Sequence, residues 1–154
     1  MNSTLELSVI GNSTISALLD KDARIVWGCF PRFDADPTFC RLLNNGGEDE
    51  TGFFDIILFD QVRSEQQYLC NSASVVTTLF DNKGNAVEIT DFAPRFKQFG
   101  RVFRPTMLVR YIRPLDGNPR ICIRLRPAFD HGAQRPARTR GSNHIRYVMP
   151  DLTL

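Results

Sequence analysis

Short apolar segments, separated by turn-forming residues, recur along the whole chain. They are rich in β-branched and aromatic residues, which favour extended strands over helices. The pattern predicts strands at residues 14–19, 24–29, 53–59, 74–80, 86–92, 107–113, 120–129 and 145–149. Helical periodicity is weak everywhere, so the predicted fold class is all-β.

Three links between these strands contain residues that tolerate a positive φ, at 20–23, 81–85 and 115–118. Each predicts a hairpin turn between its two flanking strands. Short strands joined by such turns are typical of an antiparallel β-sandwich. The one helix we expect is short, at residues 36–43, with Asp36 as its cap and Pro37 in its first turn.

The length of 154 residues fits one domain, which we assign to residues 1–154. Residues 147–154 form an apolar, strand-like phrase, whereas domains usually end in exposed and flexible segments. We therefore expect a sandwich that is partial, truncated at its C-terminal end.

The charge of the chain is unevenly distributed. Residues 1–94 hold 6 basic and 14 acidic side chains, and residues 95–154 hold 13 basic and 3 acidic ones. This split indicates an acidic or nucleic-acid partner, or two halves that face each other.

Arginines alternate with aliphatic residues at 120–126, and period two predicts that Arg120, Arg124 and Arg126 share one face while the aliphatics enter the core. Aromatic residues do not interleave with these arginines, so we expect no nucleic-acid partner. An arginine-rich face that docks on another domain is favoured, because the planar guanidinium suits interfaces.

Residues 1–13 lack the basic and apolar stretches of an export signal, which predicts a cytoplasmic protein. No apolar run approaches the roughly 20 residues of a membrane helix, so no membrane partner is expected. The cysteines Cys29, Cys40, Cys70 and Cys122 are therefore expected to be reduced thiols in the core. The two histidines have no cysteine or histidine at ligand spacing, so neither a metal nor a cofactor is expected.

A glycosidase needs two carboxyl groups beside the bond that it cleaves. The candidates Asp34, Asp36, Asp91 and Asp130 lie in or beside predicted turns, where aspartate caps backbone N–H groups, and we favour that role for each. No nucleophile elbow or phosphate-binding loop is present. The sequence thus predicts no catalytic residue.

The most unusual phrase runs from Trp27 to Asp34 and places Phe30, Arg32 and Phe33 around a proline. Aromatic rings with a few polar groups are a common way to hold sugars. Alternatively, the aromatics belong to the core and Arg32 with Asp34 fixes the loop, which is the interpretation we favour. These five residues are nevertheless the candidate substrate-contact or interdomain loop.

Five stretches carry a family resemblance, in this order along the chain: residues 10–27, Pro31-Arg-Phe-Asp34 with the segment that follows it, Gln67-Tyr-Leu69, Val87-Glu-Ile-Thr-Asp-Phe-Ala-Pro94, and Arg124-Leu-Arg-Pro-Ala-Phe-Asp-His-Gly132. They resemble the N-terminal part of bacterial and archaeal family-fifteen glycoside hydrolases, the glucoamylase and trehalase type.

The resemblance implies a large antiparallel β-sandwich joined by a linker to an (α/α) six-hairpin barrel. In that family the barrel holds both catalytic glutamates and performs inverting hydrolysis of α-glucosidic bonds. No barrel motif occurs here, so no catalytic residue is carried over.

Two functions follow as hypotheses. The first is a non-catalytic N-terminal module that packs against and supports its own C-terminal catalytic barrel, which in turn binds the α-glucoside. The alternative is a stand-alone β-sandwich module for carbohydrate binding or protein interaction. The choice of substrate lies with barrel loops that this sequence does not contain.

Overall fold

Two antiparallel sheets, packed face to face, make up most of the computed structural model, which describes residues 6–43 and 51–154. The strands are β1 (Ser8–Gly11), β2 (Ser16–Leu19), β3 (Ile25–Cys29), β4 (Pro37–Cys40), β5 (Phe53–Leu58), β6 (Gln61–Tyr68), β7 (Val75–Asp81), β8 (Ala86–Phe92), β9 (Phe96–Gln98), β10 (Arg101–Phe103), β11 (Val109–Asp116), β12 (Ile121–Arg126), β13 (Ala137–Arg140) and β14 (Ile145–Val148). A single 3-10 turn, Arg41–Leu43, is the helical element of the described residues.

The larger sheet has the strand order β1-β2-β3-β5-β12, with β4 also paired to β3. The smaller sheet has the order β11-β8-β7-β6, and two separate hairpins are formed by β9 with β10 and by β13 with β14. Every pairing is antiparallel. The predicted all-β antiparallel sandwich is confirmed.

The core lies between the two sheets and is supplied by alternate residues of their strands. Ile56 and Leu58 of β5 meet Leu79 of β7 and Val87 and Ile89 of β8 in one buried cluster. A second cluster joins residues of the first four strands to the smaller sheet, and its members are Ile10, Ile15, Ala17, Leu19, Ile25, Phe30, Phe39, Val75 and Ala93. Burial of each large side chain contributes about 1.5–3 kcal/mol, so these clusters hold the sheets together.

Two of the three predicted hairpins form, and an aspartate closes each. The Asp20 carboxylate accepts hydrogen bonds from the backbone N–H groups of Asp22 and Arg24, at 3.0 and 2.9 Å, between β2 and β3. The Asp81 carboxylate accepts from the backbone N–H groups of Lys83 and Asn85, both at 2.8 Å, between β7 and β8. The local sequence therefore sets both turns.

The third predicted hairpin, around residues 115–118, is wrong. β11 pairs with β8 in the smaller sheet and β12 pairs with β5 in the larger one, so the link crosses between the sheets. Gly117 has φ of 64°, and the Asn118 backbone N–H donates to the Asn85 side chain at 2.9 Å. Residues 115–118 thus form a turn as predicted, but the two strands that flank the turn belong to different sheets.

The predicted helix at residues 36–43 is wrong except for its last three residues, which form the 3-10 turn Arg41–Leu43. Residues Pro37–Cys40 form β4, which is buried along its whole length and pairs with β3. The Asp36 carboxylate does not cap a helix, because it accepts hydrogen bonds from a distant turn, described below. Burial on both sides of this segment outweighs its helix-start signature.

Candidate functional site

The candidate loop follows β3, and its aromatic residues have different environments. Trp27 lies within β3, opposite Cys40 of β4, and is half-buried. Phe30 is buried in the core, with its ring edge-on to Phe39 at 6.1 Å between centroids. Phe30 therefore fixes the start of the loop to the core, and Trp27 belongs to the strand that precedes the loop.

The other three candidate residues, Arg32, Phe33 and Asp34, are exposed to solvent. Arg32 donates two hydrogen bonds to the Asp34 carboxylate, at 3.0 and 2.8 Å, while 69% and 52% of their side chains remain exposed. Phe33 is 62% exposed, and its backbone N–H donates to the Thr14 carbonyl at 3.1 Å. The loop thus exposes the Arg32–Asp34 ion pair and the neighbouring Phe33 ring to solvent.

Asp36 connects this loop to the turn at residues 129–132. Its carboxylate accepts hydrogen bonds from the backbone N–H groups of Asp130 and His131, at 2.6 and 3.1 Å. The His131 ring nitrogen Nδ1 lies 3.1 Å from the same carboxylate. Asp130 and His131 both have positive φ, near 54°, so the carboxylate stabilises a strained turn.

We call residues 30–36 together with 129–132 the loop surface. A groove of about 430 Å³ separates the two segments, and the lining residues include Phe30, Pro31, Thr38, Phe129, Met149 and Leu152. Two of the sequence stretches that carried the family resemblance are therefore neighbours in space. The sequence could not show this contact, because nearly a hundred residues separate the two segments.

Each of the four candidate carboxylates is bonded. Asp34 pairs with Arg32, Asp36 caps the distant turn, and Asp130 accepts from the Gln134 amide at 3.2 Å. The bonds of Asp34 and Asp130 are to side chains. Asp91 lies in β8, where it forms a fully buried ion pair with Arg110, so the capping interpretation is corrected for these three.

The three arginines of the predicted basic face have separate environments. Arg124 bonds the buried Asp55 carboxylate at 2.7 Å, and its guanidinium carbon lies 5.1 Å from the centre of the Phe53 ring. Arg120 lies over the Phe59 ring at 4.6 Å. Arg126 is exposed and donates to the Leu125 carbonyl at 3.1 Å.

The aliphatic residues of β12 were predicted to enter the core, and this prediction is confirmed for only some of them. Ile121 and Leu125 pack against the two core clusters, but Ile123 is more than half exposed. β12 is the last strand of the larger sheet and, among the described strands, pairs with β5 alone.

Among residues 6–43 and 51–154, no group of three or more histidine, cysteine, aspartate or glutamate side chains is placed to hold a metal ion. Within the same residues, no helix has the length and hydrophobicity needed to cross a membrane. The four cysteines are free thiols. Cys29 and Cys40 are buried as expected, whereas Cys122 is only partly buried and Cys70 is exposed, so the core prediction is wrong for Cys70.

The two packed antiparallel sheets define a β-sandwich domain. Residues 3–146 match the family described as trehalase-like, N-terminal. The chain therefore belongs to the trehalase-like N-terminal domain family, and the predicted resemblance is confirmed.

Three archaeal enzymes are similar to the chain. Trehalase 1 of Sulfolobus acidocaldarius is 31% identical over 148 residues, which cover 94% of this chain and 23% of that protein. The trehalase of Thermoplasma volcanium is 27% identical, covering 82% of this chain and 20% of that protein. The trehalase of Thermoplasma acidophilum is 28% identical, covering 73% and 19%. The chain thus spans about a fifth of their length, and no solved structure gives a significant match.

Proposed function

We propose that this chain is the non-catalytic N-terminal module of an inverting α-glucoside hydrolase, and that it packs against and supports a catalytic barrel. The relatives that match it are trehalases in which the matched region is about a fifth of the length. Trehalose is accordingly the proposed substrate of the complete protein, bound by the barrel.

The observation that carries the proposal is the exposed group of Arg32, Phe33 and Asp34. Arginine and phenylalanine are enriched in interfaces, where a planar guanidinium and an aromatic ring bury well. Because Asp34 already orients Arg32 through two hydrogen bonds, little conformational entropy is lost when a partner carboxylate or sugar hydroxyl is bound. The buried Phe30 fixes the loop from the core side.

Hydrolysis assays on the chain and on the complete gene product test this proposal. The purified 154-residue chain is incubated with trehalose, maltose and an aryl α-glucoside, and we expect no glucose release above the buffer control. The complete protein should hydrolyse at least one of them with inversion, followed by NMR of the anomeric proton. Hydrolysis that copurifies with the short chain contradicts the proposal.

One observation favours the alternative, a stand-alone carbohydrate-binding module. The groove of about 430 Å³ combines the rings of Phe30 and Phe129 with polar groups of Asp36 and His131, which is the chemistry that sugars require. Calorimetric titration of the isolated chain with trehalose and maltose tests it. Saturable binding that Phe129→Ala abolishes supports this alternative, and absence of heat contradicts it.

A further inference from the structure

A basic hairpin projects from the sandwich at residues 95–104, and we call it the arm. Its strands β9 and β10 pair with each other and, within the described residues, with no further strand. Both are exposed along their whole length. The arm is therefore an element that the sandwich does not cover.

The base of the arm is held by one buried amide. The Asn12 side-chain nitrogen donates to the carbonyls of Pro94 and Pro105, at 3.0 and 2.8 Å, which flank the arm on both sides. Its oxygen accepts from the backbone N–H groups of Thr14 and Ile15. Since both ends are fixed to the sandwich, the arm has a defined starting direction.

The arm exposes an unusual amount of apolar surface for its size. Phe96 and Phe103 stack with centroids 5.6 Å apart and planes inclined by 14°, and both are exposed. Phe99 stands at the tip with 89% of its surface in solvent and a φ of 50°. Adjacent exposed aromatic residues on a soluble domain mark a surface that another molecule covers.

Four cations surround these rings: Arg95, Lys97, Arg101 and Arg104. All are exposed, and none forms an ion pair with a carboxylate of the described residues. A groove of about 560 Å³ lies at the base of the arm, between Phe96 and the turn that contains Asn71 and Ser72. The surface is complementary to an apolar segment bordered by acidic side chains.

We propose that the arm is the docking element by which this domain binds the catalytic domain of the same polypeptide, with Phe99 in an apolar pocket and the four cations facing carboxylates. This rests on the proposed function. The occupant follows from the relatives, in which the greater part of the polypeptide lies outside the matched region and is available to cover the arm.

The test uses the complete protein and compares Phe99→Ser and the double change Lys97→Glu with Arg101→Glu against matched controls. The controls are Val62→Ser, an exposed valine on the edge strand β6, and Arg140→Glu, an exposed arginine of β13. Amide hydrogen exchange of residues 96–103 is followed by mass spectrometry. We expect both arm variants, and neither control, to accelerate exchange roughly tenfold or more, because loss of one central aromatic or of the charge match weakens an interface by about that factor.

Equal exchange in all variants overturns the proposal, as does an unprotected arm in the unmutated protein. Protection that disappears on dilution indicates a second copy of the chain and also overturns it, and so does protection that appears only with vesicles of anionic phospholipid. The activity assay is independent. A complete protein with a protected arm but no glycoside hydrolysis contradicts the proposed function and retains the docking.

Discussion

At the scale of single residues, Arg110 links the two sheets. It bonds Asp91 of the neighbouring strand at 2.7 and 3.1 Å, the Phe54 carbonyl of the larger sheet at 2.9 Å, and the Ala23 carbonyl. Its guanidinium carbon also lies 4.6 Å from the centre of the Phe54 ring. Both charged side chains are buried. If the Arg110 guanidinium is removed, its acceptors therefore remain in the core without a hydrogen-bond donor, which costs free energy.

We expect Arg110→Met to lower the free energy of unfolding by about 3–5 kcal/mol, because it leaves the Asp91 carboxylate buried without its cation. Arg113→Met is the matched control on the same strand. Arg113 bonds Glu88 at 2.8 Å but is half exposed, so its loss should cost at most about 1 kcal/mol. Urea unfolding of the isolated chain measures both. Equal costs would show that the buried pair contributes no more than a surface pair.

The same variant has an expected pH dependence. Burial raises the pKa of Asp91 above its ordinary value of 3.8, and the facing Arg110 opposes this only in part. Because the folded chain ionises this carboxyl less readily than the unfolded chain, its contribution is largest at low pH and is lost as the pH rises through the folded pKa. Without Arg110 that pKa rises further. The cost of Arg110→Met should therefore shrink as the pH falls from neutrality into the acidic range, and a cost independent of pH would exclude this explanation.

Thiol reactivity should separate the cysteines. Burial, followed by the nearby carboxylate of Asp36, raises the pKa of both Cys29 and Cys40 above 9.0, and only the thiolate reacts. Cys70 is exposed. We expect iodoacetamide to label Cys70 first, and Cys29 and Cys40 only in denaturant, by mass spectrometry of tryptic peptides. The Cys70→Ser variant should lack the fast phase, and rapid labelling of Cys40 in the folded chain would contradict the buried position.

At the scale of elements, the sequence predicted most of the strands that supply large apolar residues to the core. β8 was predicted with its observed bounds, Ala86–Phe92, and β3 and β5 to within one residue. β6 was missed because its sequence, Gln61–Tyr68, is almost entirely polar. As an edge strand it is held by backbone pairing with β7, which leaves no hydrophobic period to detect.

The pairing of strands could not be predicted in the same way. β11 and β12 are joined by a turn with hairpin residues, yet the register of each is set by a partner far away in sequence. β4 was taken for a helix because a cap and a proline are local features, whereas its burial against β3 is not. Local chemistry decides the turns, and long-range burial decides which strands meet.

Two glycines allow backbone strain and crowding to be separated. Gly52 and Gly84 have φ of 74° and 84°, a region that disfavours other residues. A Cβ at Gly84 would have no described atom within 4 Å, but at Gly52 it would lie 2.6 Å from the Cys40 sulphur. Gly84→Ala should cost about 1 kcal/mol, and Gly52→Ala about 1–3 kcal/mol more because of overpacking. Thermal unfolding of both variants measures the difference, and equal costs would contradict the crowding at Gly52.

At the scale of the whole molecule, part of the charge split is satisfied internally. Arginines of the basic half bond acidic residues of the other half, in the pairs Arg110–Asp91, Arg113–Glu88 and Arg124–Asp55. This agrees with the interpretation that the two halves face each other. The cations of the arm have no such partner among the described residues, and the idea of an acidic partner remains for them.

The candidate loop was predicted as a segment, but the environment of each residue was not. Composition cannot distinguish Phe30, which is buried, from Phe33, which is exposed, because the difference is set by the path of the chain after β3. The contact of Asp36 with the turn at residues 129–132 was missed for the same reason. Residue type therefore indicated where contact chemistry is concentrated, and only the fold showed which groups reach solvent.

The proposed contact role of the loop can be separated from a structural role by comparing two ion pairs. Arg32–Asp34 and Lys83–Asp60 have nearly equal bond lengths, 2.8 and 2.9 Å, and nearly equal exposure of both side chains. Exposed pairs of this kind contribute at most about 1 kcal/mol to folding, so Arg32→Ala and Lys83→Ala should leave the melting temperature of the isolated chain almost unchanged. In the complete protein, Arg32→Ala should lower kcat/KM roughly tenfold to a hundredfold, equivalent to about 1–3 kcal/mol of transition-state stabilisation. Lys83→Ala should not change it. If kcat/KM is intact in the Arg32 variant, the loop only closes the link between β3 and β4 and has no part in the active protein.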